Sequence, residues 1–280
     1  MRNIWIVFCI FAALNGPMMA SAVKEKPKNF QGWKKELLGN LNFTQNSFDN
    51  WAQGGENSWS WQVEMNAKAE YKTKRFNWSN SGKFSYGRSK VSGADSRKAA
   101  DEIKIESVFT QKMGIYVNPY ASFSGLTQSS RGYKYTSDTS KKAISDFFDP
   151  AYFVQSFGLG YEYNDLFKIR LGGSIKETIT NRFAEMYAEG QNFRVEFGSE
   201  LVSDVRYKIN STMKYTSKLE LFSNLTRFEA IDVNWDHLIS AKVAEFVQVS
   251  FNFNLFYDRD VTAKRQFKQT LAAGLRYNFY

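Results

Sequence analysis

The sequence predicts an all-β fold: a single transmembrane antiparallel β-barrel of about twelve strands, with ten or fourteen as the alternatives. Three observations predict it. Apolar residues recur with period two in run after run, the links between runs alternate short and long, and aromatics make up 17% of the chain. Period two marks a strand with one apolar face. Alternating links suit a membrane barrel, which has short periplasmic turns and long outer loops. A soluble sheet has no use for 25 Phe and 15 Tyr, whereas a lipid-facing wall with girdles at both interfaces does.

The first residues stand apart from this pattern. Arg2 supplies a positive start, Ile4 to Leu14 an apolar core, and Ala20-Ser21-Ala22 a small-x-small end. That is the layout of a cleaved signal peptide over residues 1–22, and its apolar run is too short to span a membrane. Cys9 lies inside the apolar core rather than just after it, which argues against a lipoprotein. Removing 1–22 leaves a chain with no cysteine, 36 of the 37 Lys+Arg and all 28 Asp+Glu. Disulfides are therefore excluded as the source of stability, and a closed sheet must supply it. Residues 23–36 read as a periplasmic N-terminal segment, and 37–280 as the barrel.

The strands follow in order. The first lies near 37–47. The second is the clearest, with Trp59, Trp61, Val63, Met65, Ala67, Ala69 and Tyr71 on one face and Ser, Gln, Glu, Asn and Lys on the other. Phe76, Trp78, Phe84 and Tyr86 share a parity in the third, and Ile103, Ile105 and Phe109 in the fourth. The stretches 116–127 and 152–163 supply the fifth and sixth, the former less regular. Phe167, Ile169, Leu171 and Ile175 mark the seventh; Phe193, Val195, Phe197, Leu201 and Val205 the eighth. Met213, Tyr215, Leu219 and Leu221 make the ninth, then Val233, Trp235, Ile239 and Val243 the tenth. Val247 to Tyr257 and Phe267 to Phe279 close the count. Short links fall near 73–75, 112–115, 164–165, 209–211 and 244–246. Long polar ones fall near 50–57, 89–101, 128–150, 177–191, 224–232 and 259–265. An even strand number puts both termini in the periplasm.

The stretch from Leu41 to Ser58, with Gln45, Asn50-Trp51, Gly54-Gly55 and Asn57-Ser58, resembles the N-terminal signature of an uncharacterised family of Gram-negative outer-membrane barrels. Phe251 to Asp258 and Gln269 to Phe279 are similar to that family's closing strands and to those of the related salt-induced outer-membrane barrel proteins. The resemblance implies fold and outer-membrane location; it carries no activity and no catalytic residue. The closing Tyr277-Asn278-Phe279-Tyr280 resembles the signal read by the barrel-assembly machinery, which is thereby an expected partner during biogenesis. Outer-membrane lipid and lipopolysaccharide are the other expected partners, and Trp51, Trp59, Trp61, Trp78, Trp235, Phe279 and Tyr280 the expected interface aromatics. The oligomeric state is not legible.

The inward parity carries the chemistry. It presents Lys68, Lys83, Lys104, Lys168, Arg170, Arg194, Lys214, Lys218, Lys242, Lys268 and Arg276, against Glu64, Glu70, Glu106, Glu196, Glu200 and Glu220. Long side chains of both signs on neighbouring strands can pair and fill a barrel of this size. If the lumen is open instead, the cation excess favours anions. The readings, in order, are a non-enzymatic envelope barrel with a charged, largely packed lumen, a narrow anion-leaning channel, and an interfacial lipid-acting enzyme. Against the last, the only histidine, His237, shares the lipid-facing parity but has Ile239, not a serine, two places on. Asp258 and Asp260 are too few ligands for a calcium shell, and read as a solvated loop beside Arg259. No metal cluster, phosphate loop or nucleophile elbow is present, so no cofactor is expected. Basic residues on alternate strand positions do not form a nucleic-acid patch. The loop 128–150, ending in Phe147-Phe148-Asp149-Pro150, reads either as an inward constriction or surface ligand site, or as the approach to the next strand.

Overall fold

A computed structural model describes residues 31–47, 56–114, 116–136, 140–163, 166–227, 231–259 and 264–279. Its strands are β1 (Gly32–Asn46), β2 (Ser58–Lys72), β3 (Phe76–Val91), β4 (Arg97–Gln111), β5 (Val117–Thr127), β6 (Gly132–Tyr135) and β7 (Lys141–Ser145). They continue as β8 (Ala151–Tyr163), β9 (Phe167–Ile179), β10 (Phe193–Lys208), β11 (Met213–Asn224), β12 (Ile231–Lys242), β13 (Val247–Tyr257) and β14 (Gln266–Asn278). One short helix, α1 (Ala184–Tyr187), interrupts the link between β9 and β10.

Twelve of the strands close an antiparallel barrel in the order β1-β14-β13-β12-β11-β10-β9-β8-β5-β4-β3-β2, and β6 and β7 form a separate hairpin. The ends of the chain complete the circle, with Leu38 opposite Asn278 and Leu41 opposite Leu275. Closure is what the apolar outer face demands. An open edge in lipid would leave a row of backbone N–H and C=O groups unpaired, at several kcal/mol each. Because side chains alternate, every strand that sends its odd or even apolar set outward sends its polar set into the lumen. The outward set is left uncovered: Leu271 is 75% exposed and Phe157 71%. The inward set is largely buried, and includes charged groups such as Glu70, Lys176 and Glu196.

Four boundaries differ from the sequence reading, each for a local reason. β1 begins at Gly32, so residues 32–36 are strand and not part of a 23–36 lead-in. Lys35 on the outward parity hides this start. Near a strand end its stem lies along the wall while the ammonium reaches the interface. The link between β3 and β4 is only 92–96, because a register shift at Gly87/Arg88 breaks the alternation that identifies strand over 89–101. β9 runs on to Ile179, two residues past the point where Lys176 and Glu177 end its apolar run. The long link 128–150 carries the β6–β7 hairpin.

One glycine pair shapes the interior. Gly158 on β8 and Gly172 on β9 lie directly opposite each other on inward positions. A Cβ on Gly172 would stand 2.8 Å from the Tyr120 hydroxyl and would strike the Phe157 carbonyl. The bare backbone leaves room for Tyr120, which is 2% exposed and bonded to Ser156 at 2.8 Å.

Candidate functional site

The lumen holds a chain of ion pairs that crosses it. β4 and β11 stand five places apart in the closed strand order, on opposite sides of the barrel. Lys104 of β4 nevertheless places its Nζ 2.8 Å from the Glu220 carboxylate of β11. Glu106, two residues along β4, accepts from Arg170 of β9 at 2.7 Å and from Lys218 of β11 at 2.6 Å. Lys218 also reaches Glu220 at 3.1 Å, and Asn234 of β12 donates to the same carboxylate at 2.8 Å. Five charged side chains from three walls thus meet in mid-lumen. They are 11–24% exposed, so the pairs are partly desolvated and their attraction is less screened than on a surface.

A second cluster lies towards the long-loop end. Lys176 of β9 contacts Asp232 at 2.6 Å, Asp258 at 3.5 Å and Glu196 at 3.9 Å, tying β9 to β10, to β12 and to the residue that follows β13. Arg194 donates to Glu196 at 2.9 Å, as does Asn224. Asp258 is therefore buried against Lys176, correcting its reading as part of a solvated loop; Asp260 lies outside the described residues.

Above these pairs, the loops at this end are tied to one another. Asp149, which precedes β8, accepts from the Thr180 hydroxyl and from the backbone N–H of Asn181 at 2.8 Å and of Arg182 at 2.9 Å. Burial opposes its ionisation, but these hydrogen bonds outweigh that effect and hold the carboxyl below the usual range. Asp101 likewise accepts the N–H and hydroxyl of both Ser129 and Ser130 at 2.7–3.0 Å, plus Lys98 at 2.8 Å, pinning the start of the long link. The link after β9 carries α1, whose Ala184 is buried, as is Ala188 just past it.

Other inward residues pair locally. Lys68 and Lys72 both approach Glu70 at 3.4 Å, Lys83 meets Glu102 at 3.0 Å and Lys168 meets Glu162 at 2.7 Å. Glu64 accepts from Asn66 at 2.7 Å, Glu200 lies in the field of Arg170, and Arg276 donates to Gln248. Lys214, Lys242 and Lys268 make no ion pair among the described residues. Sequence reasoning missed Lys176, Glu162 and Asp232 because each sits near a strand end where the apolar partner face has run out, and Glu102 because Asp101 on the outward parity cuts the apolar run of β4 short. The signal was the same parity extended by one step. A cavity of about 370 Å³ at the short-turn end is lined by Lys72, Lys74, Lys112, Asn77, Asn118 and Glu162.

The expected interface aromatics fall into two belts. At the short-turn end, Trp78 lies 6.1 Å from Trp33, and Trp33 lies 5.1 Å from Tyr71; Phe279 packs edge-on to Tyr277 at 4.8 Å. At the other end, Trp61 lies 5.8 Å from Tyr86, with Trp59 beside it on β2. Trp235 belongs to this half and donates to Ser217 at 3.0 Å. Trp51 and Tyr280 lie outside the described residues. His237 is on the outer wall, 2.8 Å from the Tyr215 hydroxyl and 4.5 Å from the Trp235 ring.

A closed antiparallel barrel with an uncovered apolar wall between two aromatic belts defines a class: this is a membrane-spanning β-barrel protein. Residues 43–133, the stretch that includes most of the Leu41–Ser58 signature, match a family described as a protein of unknown function (DUF3078). No curated protein matches in sequence. Among solved structures the chain is similar to the translocator domain of the autotransporter NalP from Neisseria meningitidis, at 8% identity over 97% of each chain and TM-score 0.38. It is also similar to the NanC porin, at 8% identity over 86% of this chain and 98% of that one, TM-score 0.40. An outer-membrane channel from Pseudomonas putida F1 gives 10% identity, 89% and 95% coverage and TM-score 0.40.

Proposed function

We propose that the protein is a non-enzymatic outer-membrane barrel whose lumen is closed by its own side chains, so that its business with other molecules is done at the outer rim. The observation that carries this is the chain of ion pairs spanning β4 to β11 through Glu106, Lys218 and Glu220. A water-filled pore would need those groups to line the wall, and instead they meet across it. The outer-membrane location is supported by the girdled apolar wall and by loops that are long at one end only. On the outer wall, His237 is engaged by Tyr215 and the facing Ser217 is held by Trp235, so neither is arranged as a base and a nucleophile.

The channel reading draws its support from the short-turn mouth, where Lys208 and Lys214 face each other on inward positions and would favour anions. Single-channel recording separates the two. The purified chain, refolded and inserted into a planar bilayer under a salt gradient, is expected to give no steady conductance. Steady steps with an anion-selective reversal potential would overturn the closed lumen.

A further inference from the structure

The outer wall of β2, β3 and β4 ends in a row where aromatic and basic side chains alternate across the strands. Trp59 stands opposite Lys90, and Trp61 opposite Arg88. Arg88 in turn stands opposite Lys98, on the same outward face. All lie at the long-loop end, in the last turns of wall before the rim. Lys98 anchors the next element: it bonds Asp101 at 2.8 Å and the Ser130 carbonyl at 2.9 Å, at the foot of the β6–β7 hairpin. Arg97 lies over the Tyr135 ring at 4.4 Å, fixing the hairpin to the same strands.

The hairpin places Lys134 directly opposite Lys142, both exposed. Two ammonium groups facing each other on one sheet face repel and destabilise the pair. Neither has a carboxylate partner among the described residues, nor has Lys90. A sheet that keeps such an opposition at the same end of the barrel as Trp59 and Trp61 matches an anion that arrives from outside and sits between the ammonium groups.

We infer that this strip is a binding site for a phosphorylated glycolipid of the outer leaflet. Acyl chains would lie on the apolar wall of β2 and β3, sugar rings on Trp59 and Trp61, one phosphate beside Lys90 and the other between Lys134 and Lys142. The inference rests on the membrane-spanning reading and on the long loops being outside. It goes further in naming the ligand's chemistry and its place on the wall.

The test uses the purified chain refolded into phosphatidylcholine vesicles alone, with diphosphorylated lipid A, or with dephosphorylated lipid A. A fourth arm adds millimolar inorganic phosphate to the plain vesicles. Acylation of lysine amines is then read by mass spectrometry, with exposed Lys74 at the opposite end as internal control. The expected result is slower acylation of Lys90, Lys134 and Lys142, by about tenfold, with phosphorylated lipid A alone. Lys134→Ala combined with Lys142→Ala should weaken retention of that lipid about 30-fold while leaving the heat-dependent gel shift of the folded barrel unchanged. Equal acylation with the phosphorylated and dephosphorylated forms would overturn the glycolipid site alone. Protection by inorganic phosphate without lipid would overturn it in favour of a soluble anion. Absence of the gel shift in plain phosphatidylcholine would overturn the barrel reading, and this inference with it.

Discussion

Glu106 joins three strands, β4, β9 and β11, in mid-lumen. Its two oxygens hold Arg170 and Lys218 from different strands, so removing the carboxylate strips Arg170 of its ion pair in a partly desolvated space and leaves Lys218 with Glu220 alone. Breaking a buried pair in this way costs about 3–5 kcal/mol, and partial exposure puts this site at the lower end. Glu106→Ala is therefore expected to lower stability by about 3 kcal/mol in urea unfolding followed by tryptophan fluorescence. An unchanged midpoint would mean the network adds nothing to the fold. Asp149 acts on a different scale of pH. Its carboxyl sits below the ordinary range, so the folded loop favours the ionised form. That contribution is complete above about pH 4 and is lost as pH falls through the lowered folded value. Amide exchange at Asn181 and Arg182 should then accelerate in acid relative to its intrinsic rate. In Asp149→Asn the exchange should already be fast at neutral pH and show no such acid step.

Among the elements, β8 and β9 are the pair where packing, not charge, sets the geometry. Gly158 and Gly172 face each other so that Tyr120 can fill the space above bare backbone, with Arg170 5.5 Å from its ring. Gly172→Ala would press a methyl against the Tyr120 hydroxyl and the Phe157 carbonyl, an overpacking that costs about 1–3 kcal/mol. Gly173→Ala, one step along and outward, meets nothing within 4 Å and should change stability by less than about 0.5 kcal/mol. Equal effects of the two substitutions would sink the account of Tyr120. The β6–β7 hairpin is held differently. It contributes nothing to barrel closure and depends on Lys98, Arg97 and the Asp101 cage, so changes to its exposed lysines should alter binding before they alter folding.

At the scale of the whole molecule, a polar interior and an apolar exterior invert the usual globular arrangement, and the inversion has consequences. The core is held by ion pairs and hydrogen bonds, which are sensitive to salt and to single carboxylates. The wall is held by lipid, which is not. The loops add a third layer at one end: Asp149 joins the link after β9, Asp146 meets Arg131 at 2.7 Å, and Asp101 fixes 129–130. A barrel built this way presents a rim of tied loops, and silence in a planar bilayer is the expectation that goes with the proposed closed lumen.

The sequence by itself determined the twelve strands, their parity and the end at which the long loops gather, because period two and link length are local properties that a chain carries unaided. It carried the inward parity for the same reason, though the charges read from it omit Lys176, Glu102, Glu162 and Asp232. It lost the strand ends: Lys35 masked the start of β1, the shift at Gly87/Arg88 masked β3 and β4 near their rim, and Lys176 fell just past the last apolar cue. Only the tertiary structure decided which inward charges meet. Lys104 and Glu220 are 116 residues apart, and closing the sheet is what carries one wall to the other. Parity supplies a direction and no partner. The partner follows from curvature and register summed around the whole barrel, which no single strand contains.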